Sequence, residues 1–208
     1  SLYEYGKVLD ILNQQNESIK YYEKSAKNNF HKAMFKYGLI LINKNEDEEG
    51  IKYIKKAADK GNKKACRYYS DMLKRGDKVV MNKEESNKYL EKAINYGDIE
   101  SMYKLAIEML AESTEESQKL FKRASDRGHF SSMFQYGSLL LAGEGFHTKN
   151  NKGARLIEVA AKNGCIEAYT SYATMLQLGV GVPQDKEEAI KYYKLAIDHG
   201  DSDAMVNY

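Results

Sequence analysis

Apolar positions recur along the chain at i, i+3, i+4 and i+7: Met34, Tyr37, Gly38 and Leu41 early on, and Met133, Tyr136, Gly137 and Leu140 further along. That spacing puts one apolar stripe on one face of an α-helix. The stripes are punctuated by residues suited to a left-handed helix terminus: Asn29, Gly61, Gly97, Gly128, Gly164 and Gly200, spaced by 32, 36, 31, 36 and 36 residues. Small residues keep step with these anchors. Four positions before them stand Ser25, Ala57, Ala93, Ala124, Ala160 and Ala196, and seven earlier again Ser18, Gly50, Ser86, Ser117, Gly153 and Ala189. Four positions after the anchors come Ala33, Ala65, Ser101, Ser132, Ala168 and Ala204, and eight after come Tyr37, Tyr69, Leu105, Tyr136, Tyr172 and Tyr208.

This periodicity predicts a repeated pair of short helices. Small residues seven apart form a notch that lets two backbones approach, and the larger Tyr22, Ile54, Leu90, Phe121, Ile157 and Tyr193 fill the space beside it. A lone hairpin cannot bury its seam, so successive pairs are expected to stack into a solenoid with a continuous core.

At residues 168–200, "AYTSYATMLQLGVGVPQDKEEAIKYYKLAIDHG", and again at "SMFQYGSLLLAGEGFHTKNNKGARLIEVAAKNG", the chain resembles the Sel-like repeat family, a relative of the tetratricopeptide repeat. The resemblance covers nearly the whole chain. It implies an all-α fold, a right-handed α-solenoid superhelix of about six stacked antiparallel helix pairs, with units near 1–29, 30–61, 62–97, 98–128, 129–164 and 165–200 and a truncated seventh from 201. The segments "LINKNEDEEG" and "AESTEES" depart from it by lacking the Gly-x-Gly-Val turn. Tyr5-Gly6 is in phase with Tyr37-Gly38, so the chain is expected to begin inside a helix and end one helix into a further unit. Solenoids are capped by polar repeats, and these ends read as cuts in a single solenoid domain of a longer protein.

Composition narrows the function. With 32 basic and 30 acidic residues the chain has a net charge of +2, too little one-signed field for nucleic acid to be the expected partner. No apolar run reaches membrane-spanning length, so direct membrane insertion is not expected. Cys66 and Cys165 lack metal-site spacing and lie about three repeats apart, too far for a disulfide. They favour a reducing compartment such as the cytoplasm, with the endoplasmic reticulum lumen or secretion open if a signal segment has been removed. Asn16-Glu17-Ser18 is the one glycosylation sequon.

Candidate chemistry is sparse. "GVGVPQD" and "GEGF" offer glycine pairs, but each follows a helix, where glycine closes a C-terminus and does not cradle a phosphate. "NKNEDEEG" lacks the alternating ligands and central glycine of a calcium loop. His31, His129, His147 and His199 sit near turns, and no catalytic constellation or metal motif emerges. No cofactor, metal or enzymatic activity is expected. Secreted cysteine-rich relatives associated with lactam hydrolysis carry a cysteine pair in each repeat, which this chain lacks.

One feature exceeds what packing requires. At six, ten and thirteen residues after each anchor runs a second stripe: Phe35, Leu39 and Ile42; Arg67, Asp71 and Lys74; Tyr103, Ile107 and Leu110; Phe134, Ser138 and Leu141; Thr170, Thr174 and Gln177. The resemblance to tetratricopeptide relatives implies that this stripe lines the concave face, and three of its five rows are largely apolar. Two readings stay open, a ligand groove and burial by tight curvature. The expected function is a non-enzymatic scaffold or adaptor that holds a peptide or partner helix on these side chains, with Arg67 and Lys74 supplying charge. The alternatives are a regulatory or recruiting arm of a larger enzyme such as a protein kinase, and a secreted repeat hydrolase. Oligomeric state cannot be read from the sequence.

Overall fold

The computed structural model describes residues 1–144 and 152–207, the Glu144 side chain excepted. Among the described residues there are thirteen helices and no strand: α1 (Leu2–Ile11), α2 (Gln15–Lys27), α3 (His31–Asn43), α4 (Asp47–Asp59), α5 (Lys63–Arg75), α6 (Lys83–Asn95), α7 (Ile99–Met109), α8 (Thr114–Ser125), α9 (Phe130–Glu144), α10 (Lys152–Lys162), α11 (Ile166–Leu178), α12 (Lys186–Asp198) and α13 (Ser202–Asn207). This is an all-α repeat fold of the solenoid class. The chain divides into two compact units, Ser1–Ser101 and Met102–Tyr208. In the first, α1 pairs with α2, α3 with α4 and α5 with α6, and α2 stacks on α3 and α4 on α5. In the second, α9 pairs with α10 and α11 with α12, while α8 stacks on α9, α10 on α11 and α12 on α13.

The anchors end helices as their chemistry demands. Gly61, Gly97, Gly128, Gly164 and Gly200 have φ between 76° and 87°, and Asn29 joins them at 62°. Their N–H groups turn back onto carbonyls of the preceding helix, for example Gly128 N to Ser125 O at 2.9 Å. Helix starts are equally explicit. Asn82, Ser113 and Asp185 accept from the amides of Glu85, Glu116 and Glu188 at 3.0, 3.4 and 2.9 Å, each a polar cap with glutamate three residues on. Where the Gly-x-Gly-Val turn is missing after α3, Asn45 adopts φ 63° and closes the helix instead.

The core follows the small columns. Ala33, Ala65, Ser101, Ser132, Ala168 and Ala204 are fully buried, as are Ile54 and Phe121, and Tyr22, Ile157 and Tyr193 nearly so. Each large apolar side chain buried this way contributes about 1.5–3 kcal/mol. Small residues earn their place at the helix crossings. A Cβ on Gly38 would lie 2.8 Å from Gly50 O, and one on Gly137 would lie 2.7 Å from Gly153 O. In the pair α5 and α6 the same crossing is made by serines: Ser70 Oγ donates to Ser86 O at 2.8 Å and Ser86 Oγ to Ser70 O at 2.9 Å, which satisfies both buried hydroxyls. In the second unit Ser117 Oγ donates to Ala106 O at 2.7 Å.

The glycine motifs serve the helices. Gly179 caps α11 in the left-handed conformation and its N–H returns to Met175 O. Gly143 lies inside the last turn of α9, whereas Gly145, Phe146, His147 and Tyr208 lie outside the described residues. The acidic run places Asp47, Glu48 and Glu49 in the first turn of α4, where they favour the helix N-terminus.

Candidate partner-binding grooves

Each unit carries a groove beside the second stripe. In the first unit a cavity of about 630 Å³ opens between the starts of α3 and α5. Its floor is apolar, built by Tyr3, Phe35 and Leu39, and Tyr96 closes one side by lying over Gly61. A Cβ at Gly61 would stand 3.1 Å from the Tyr96 ring, so the turn's glycine serves both its backbone angle and this contact. Asn62 couples the two helices: its Oδ1 caps α5 through Ala65 N at 3.1 Å while its Nδ2 donates to His31 O at 3.2 Å.

The rim of this groove is basic. Lys32 and Lys36 rise from α3, Lys63 and Lys64 from the first turn of α5, and no acidic residue among the described residues lines it. Lys36 is partly occupied, 3.5 Å from Asp10 and 5.7 Å above the Tyr22 ring. Lys63 donates to Gly97 O at 3.1 Å, a neutral acceptor that leaves its charge uncompensated. Burial, with Lys32 beside it, holds His31 below its ordinary pKa, so at neutral pH the imidazole adds no charge.

In the second unit a cavity of about 660 Å³ lies between α9, α10, α11 and α13. Leu141, Ile157, Met175 and Val206 give it an aliphatic floor, while Ser138, Thr170, Ser171 and Thr174 line it with hydroxyls. Several are fixed: Thr174 Oγ1 donates to Thr170 O and lies 3.0 Å from Tyr193 Oη, which donates to Gln177 Oε1 at 2.8 Å. Thr170 Oγ1 donates to Asp201 Oδ2 at 2.7 Å, and that bond leads in holding Asp201 below its ordinary pKa. Among the described residues the one charged lining residue is Asp203.

The second stripe is therefore neither wholly groove nor wholly core. Phe35, Leu39, Ser138, Leu141, Thr170 and Thr174 reach a cavity. Phe134 is half-buried against the α9–α12 core, and Tyr103 and Leu110 pack beside Phe121 and Tyr136. Ile107 is exposed. Ile42 and Leu141 need correction: both are core residues, Ile42 filling the space over Gly50 because that glycine has no side chain of its own, and Leu141 bordering the cavity only from within the core. Arg67 also has another task. Its Nε sits 3.2 Å from Asp98 Oδ2, and Asp98 is buried, accepting as well from Ser101 N and Oγ at 3.1 and 2.8 Å. Its charge is spent inside the fold. Lys74 remains exposed at the end of α5.

The sequence reading missed Lys32, Lys63, Lys64, Tyr3 and Tyr96. A signal was present in the column three residues after each anchor, which reads Lys32, Lys64, Glu100, Ser131, Glu167 and Asp203 and so changes sign along the chain.

No group of three metal-ligating residues occurs among the described residues. Burial pushes both thiols, Cys66 and Cys165, up to about 11, away from the nucleophilic thiolate. His129 caps the start of α9 through Ser132, and His199 Nδ1 lies 2.8 Å from Leu195 O. No helix among the described residues is long and apolar enough to cross a membrane.

The Sel1 repeat profile matches residues 1–30, 32–62, 63–98, 99–129, 131–165 and 166–201. The chain belongs to the Sel1 repeat family. Among solved structures, a Sel1 repeat protein from Oxalobacter formigenes is similar at 23% identity and a TM-score of 0.76, over 91% of this chain and 57% of its own. A protective antigen of uropathogenic Escherichia coli with the same repeat fold matches at 18% identity and a TM-score of 0.56, over 99% of this chain and 55% of its own. The Sel1 chain described here thus spans little more than half the length of either. YrrB, a tetratricopeptide-repeat protein with an unusual peptide-binding site, matches at 18% identity and a TM-score of 0.50, over 89% of this chain and 96% of its own. No curated protein matches the chain. Sel1 and related repeats generally mediate protein–protein interaction and are typically non-enzymatic scaffolds.

Proposed function

We propose that these Sel1 repeats form a non-enzymatic scaffold that holds a peptide or a partner's helix in the grooves beside the second stripe. The observation that carries the reading is the arrangement of Phe35 and Leu39 in one unit and of Leu141, with Ser138 and Thr174, in the other. In both, apolar side chains at the margin of the core also line an open cavity of over 600 Å³. Such a concavity, apolar with a few placed polar groups, suits an extended chain or an amphipathic helix. Phe35, Leu39, Tyr103, Ile107, Leu110 and Phe134 are the proposed apolar contacts, with Lys74 at the edge.

The test fills the grooves from two half-buried positions. Ser138→Trp places an indole in the second groove and Leu39→Trp one in the first, and both variants are compared with the parent on a peptide array. Each filled groove is expected to lose a distinct set of binding peptides. Retention of every peptide by both variants, with melting curves unchanged, would sink the groove reading.

A further inference from the structure

We propose that the groove of the first unit takes an acidic peptide segment carrying an aromatic or aliphatic side chain, and that the groove of the second unit does not. The inference rests on the peptide-scaffold reading and adds the chemistry of the ligand. Charge complementarity argues it. Four lysines surround an apolar floor with no acidic residue among the lining, and Lys32 and Lys64 make no ion pair among the described residues. The helix starts of α3, which has no side-chain cap, and of α5, which Asn62 caps, lie at the same groove, so their positive dipole ends add to the field. Phe35 and Leu39 offer the apolar patch that a purely polyanionic ligand would leave unused. In the second unit the one residue of the Lys32 and Lys64 column that lines the groove, among the described residues, is Asp203, beside the Thr170 and Thr174 hydroxyls that are already bonded.

A peptide fits this chemistry better than a nucleic acid strand. The lining contains no arginine, and the chain as a whole carries a net charge of only +2, against the long basic track that a phosphate backbone requires.

Fluorescence anisotropy with the full chain decides the matter. The probe is a short fluorescein-labelled peptide in which glutamate alternates with phenylalanine. Its comparators are the glutamine-for-glutamate copy, an all-glutamate peptide and a single-stranded oligothymidylate of equal charge. We expect the probe to bind, to weaken as salt rises, and to weaken about tenfold in the Lys32→Gln/Lys64→Gln variant, as two solvent-screened charge contacts allow. Lys122→Gln/Lys186→Gln, which removes two lysines outside the groove, should leave binding unchanged. The salt titration of the parent protein reads the same dependence without any variant. Equal binding of the glutamine peptide would overturn the acidic preference and leave the peptide-scaffold reading standing. Equal binding of the all-glutamate peptide or the oligothymidylate would overturn it in favour of diffuse charge or nucleic acid. Failure of the probe to bind would also overturn it, while the array with filled grooves would still judge the broader reading.

Discussion

The grooves of the two units have nearly equal volume and opposite manners. One is aromatic and rimmed with lysine; the other is aliphatic, hydroxyl-lined and carries a single carboxylate. Both rest on the same helix pair, the same small-residue crossing and the same left-handed anchor, and the contrast teaches where each function resides. Positions that set the distance between backbones are held to glycine, serine and alanine because nothing larger fits. Positions a turn away, at the mouth of the groove, face water and are free to change sign. A repeat array separates packing from groove chemistry in this way.

The largest effects should come from breaking what the units share. Gly137→Leu drives a side chain toward Gly153 O, where even a Cβ would come within 2.7 Å, and overpacking of this kind costs about 3 kcal/mol. Gly128→Ala meets nothing within 4 Å and pays only for its φ of 85°, about 1 kcal/mol. Urea denaturation should rank the two in that order. Equal midpoints would remove close backbone approach as the reason for the small columns.

A smaller effect separates the structural cation from those at the groove rim within the first unit. Arg67→Ala leaves Asp98 buried with only its Ser101 hydrogen bonds, a loss of about 2 kcal/mol after allowing for the partial exposure of Arg67. The Lys32→Gln/Lys64→Gln pair should change stability by less than about 0.5 kcal/mol, since both side chains are exposed. Thermal melts of the two variants test this. An undisturbed Arg67→Ala would return Arg67 to the pool of ligand contacts.

Much of this architecture was legible because its causes are local. Asn29 and the five anchor glycines could be read as left-handed termini, and the alanine and serine columns as buried notches, from spacing alone. The grooves were less legible because they depend on which side chains meet across helices. Ile42 and Leu39 belong to one stripe three residues apart, yet the absence of a side chain at Gly50 draws Ile42 into the core while Leu39 reaches the cavity. Arg67 looked like a free cation because its partner, Asp98, lies far along the chain, just beyond the end of α6. Tyr3 stands one repeat before Phe35, outside the five rows of the stripe, and Tyr96 lies in the turn after α6, in no column that defines it.

The smallest predicted effect is a dependence on pH that differs between the units by cause. Near the first groove, burial pushes the Asp10 carboxyl up, but hydrogen bonds from Ser18 and Tyr22 and the Lys36 charge outweigh it and leave the pKa below the ordinary value. In the second, the Thr170 hydroxyl does the same for Asp201, helped by the amides of Ala204 and Asp203. A carboxylate whose folded pKa lies below its unfolded value of about 3.9 contributes stability that is fully present above that value and is lost as pH falls through the folded pKa. Melting temperature should therefore hold steady from neutral pH down to about 4 and decline below it. Asp10→Asn and Asp201→Asn should each lower it at neutral pH and flatten that decline. The Lys36→Met background should blunt the effect of Asp10→Asn and leave that of Asp201→Asn untouched, because only Asp10 draws on a lysine for its shift. If Lys36→Met altered both acid limbs alike, the charge at the first groove and the hydroxyl at the second would no longer be separate devices.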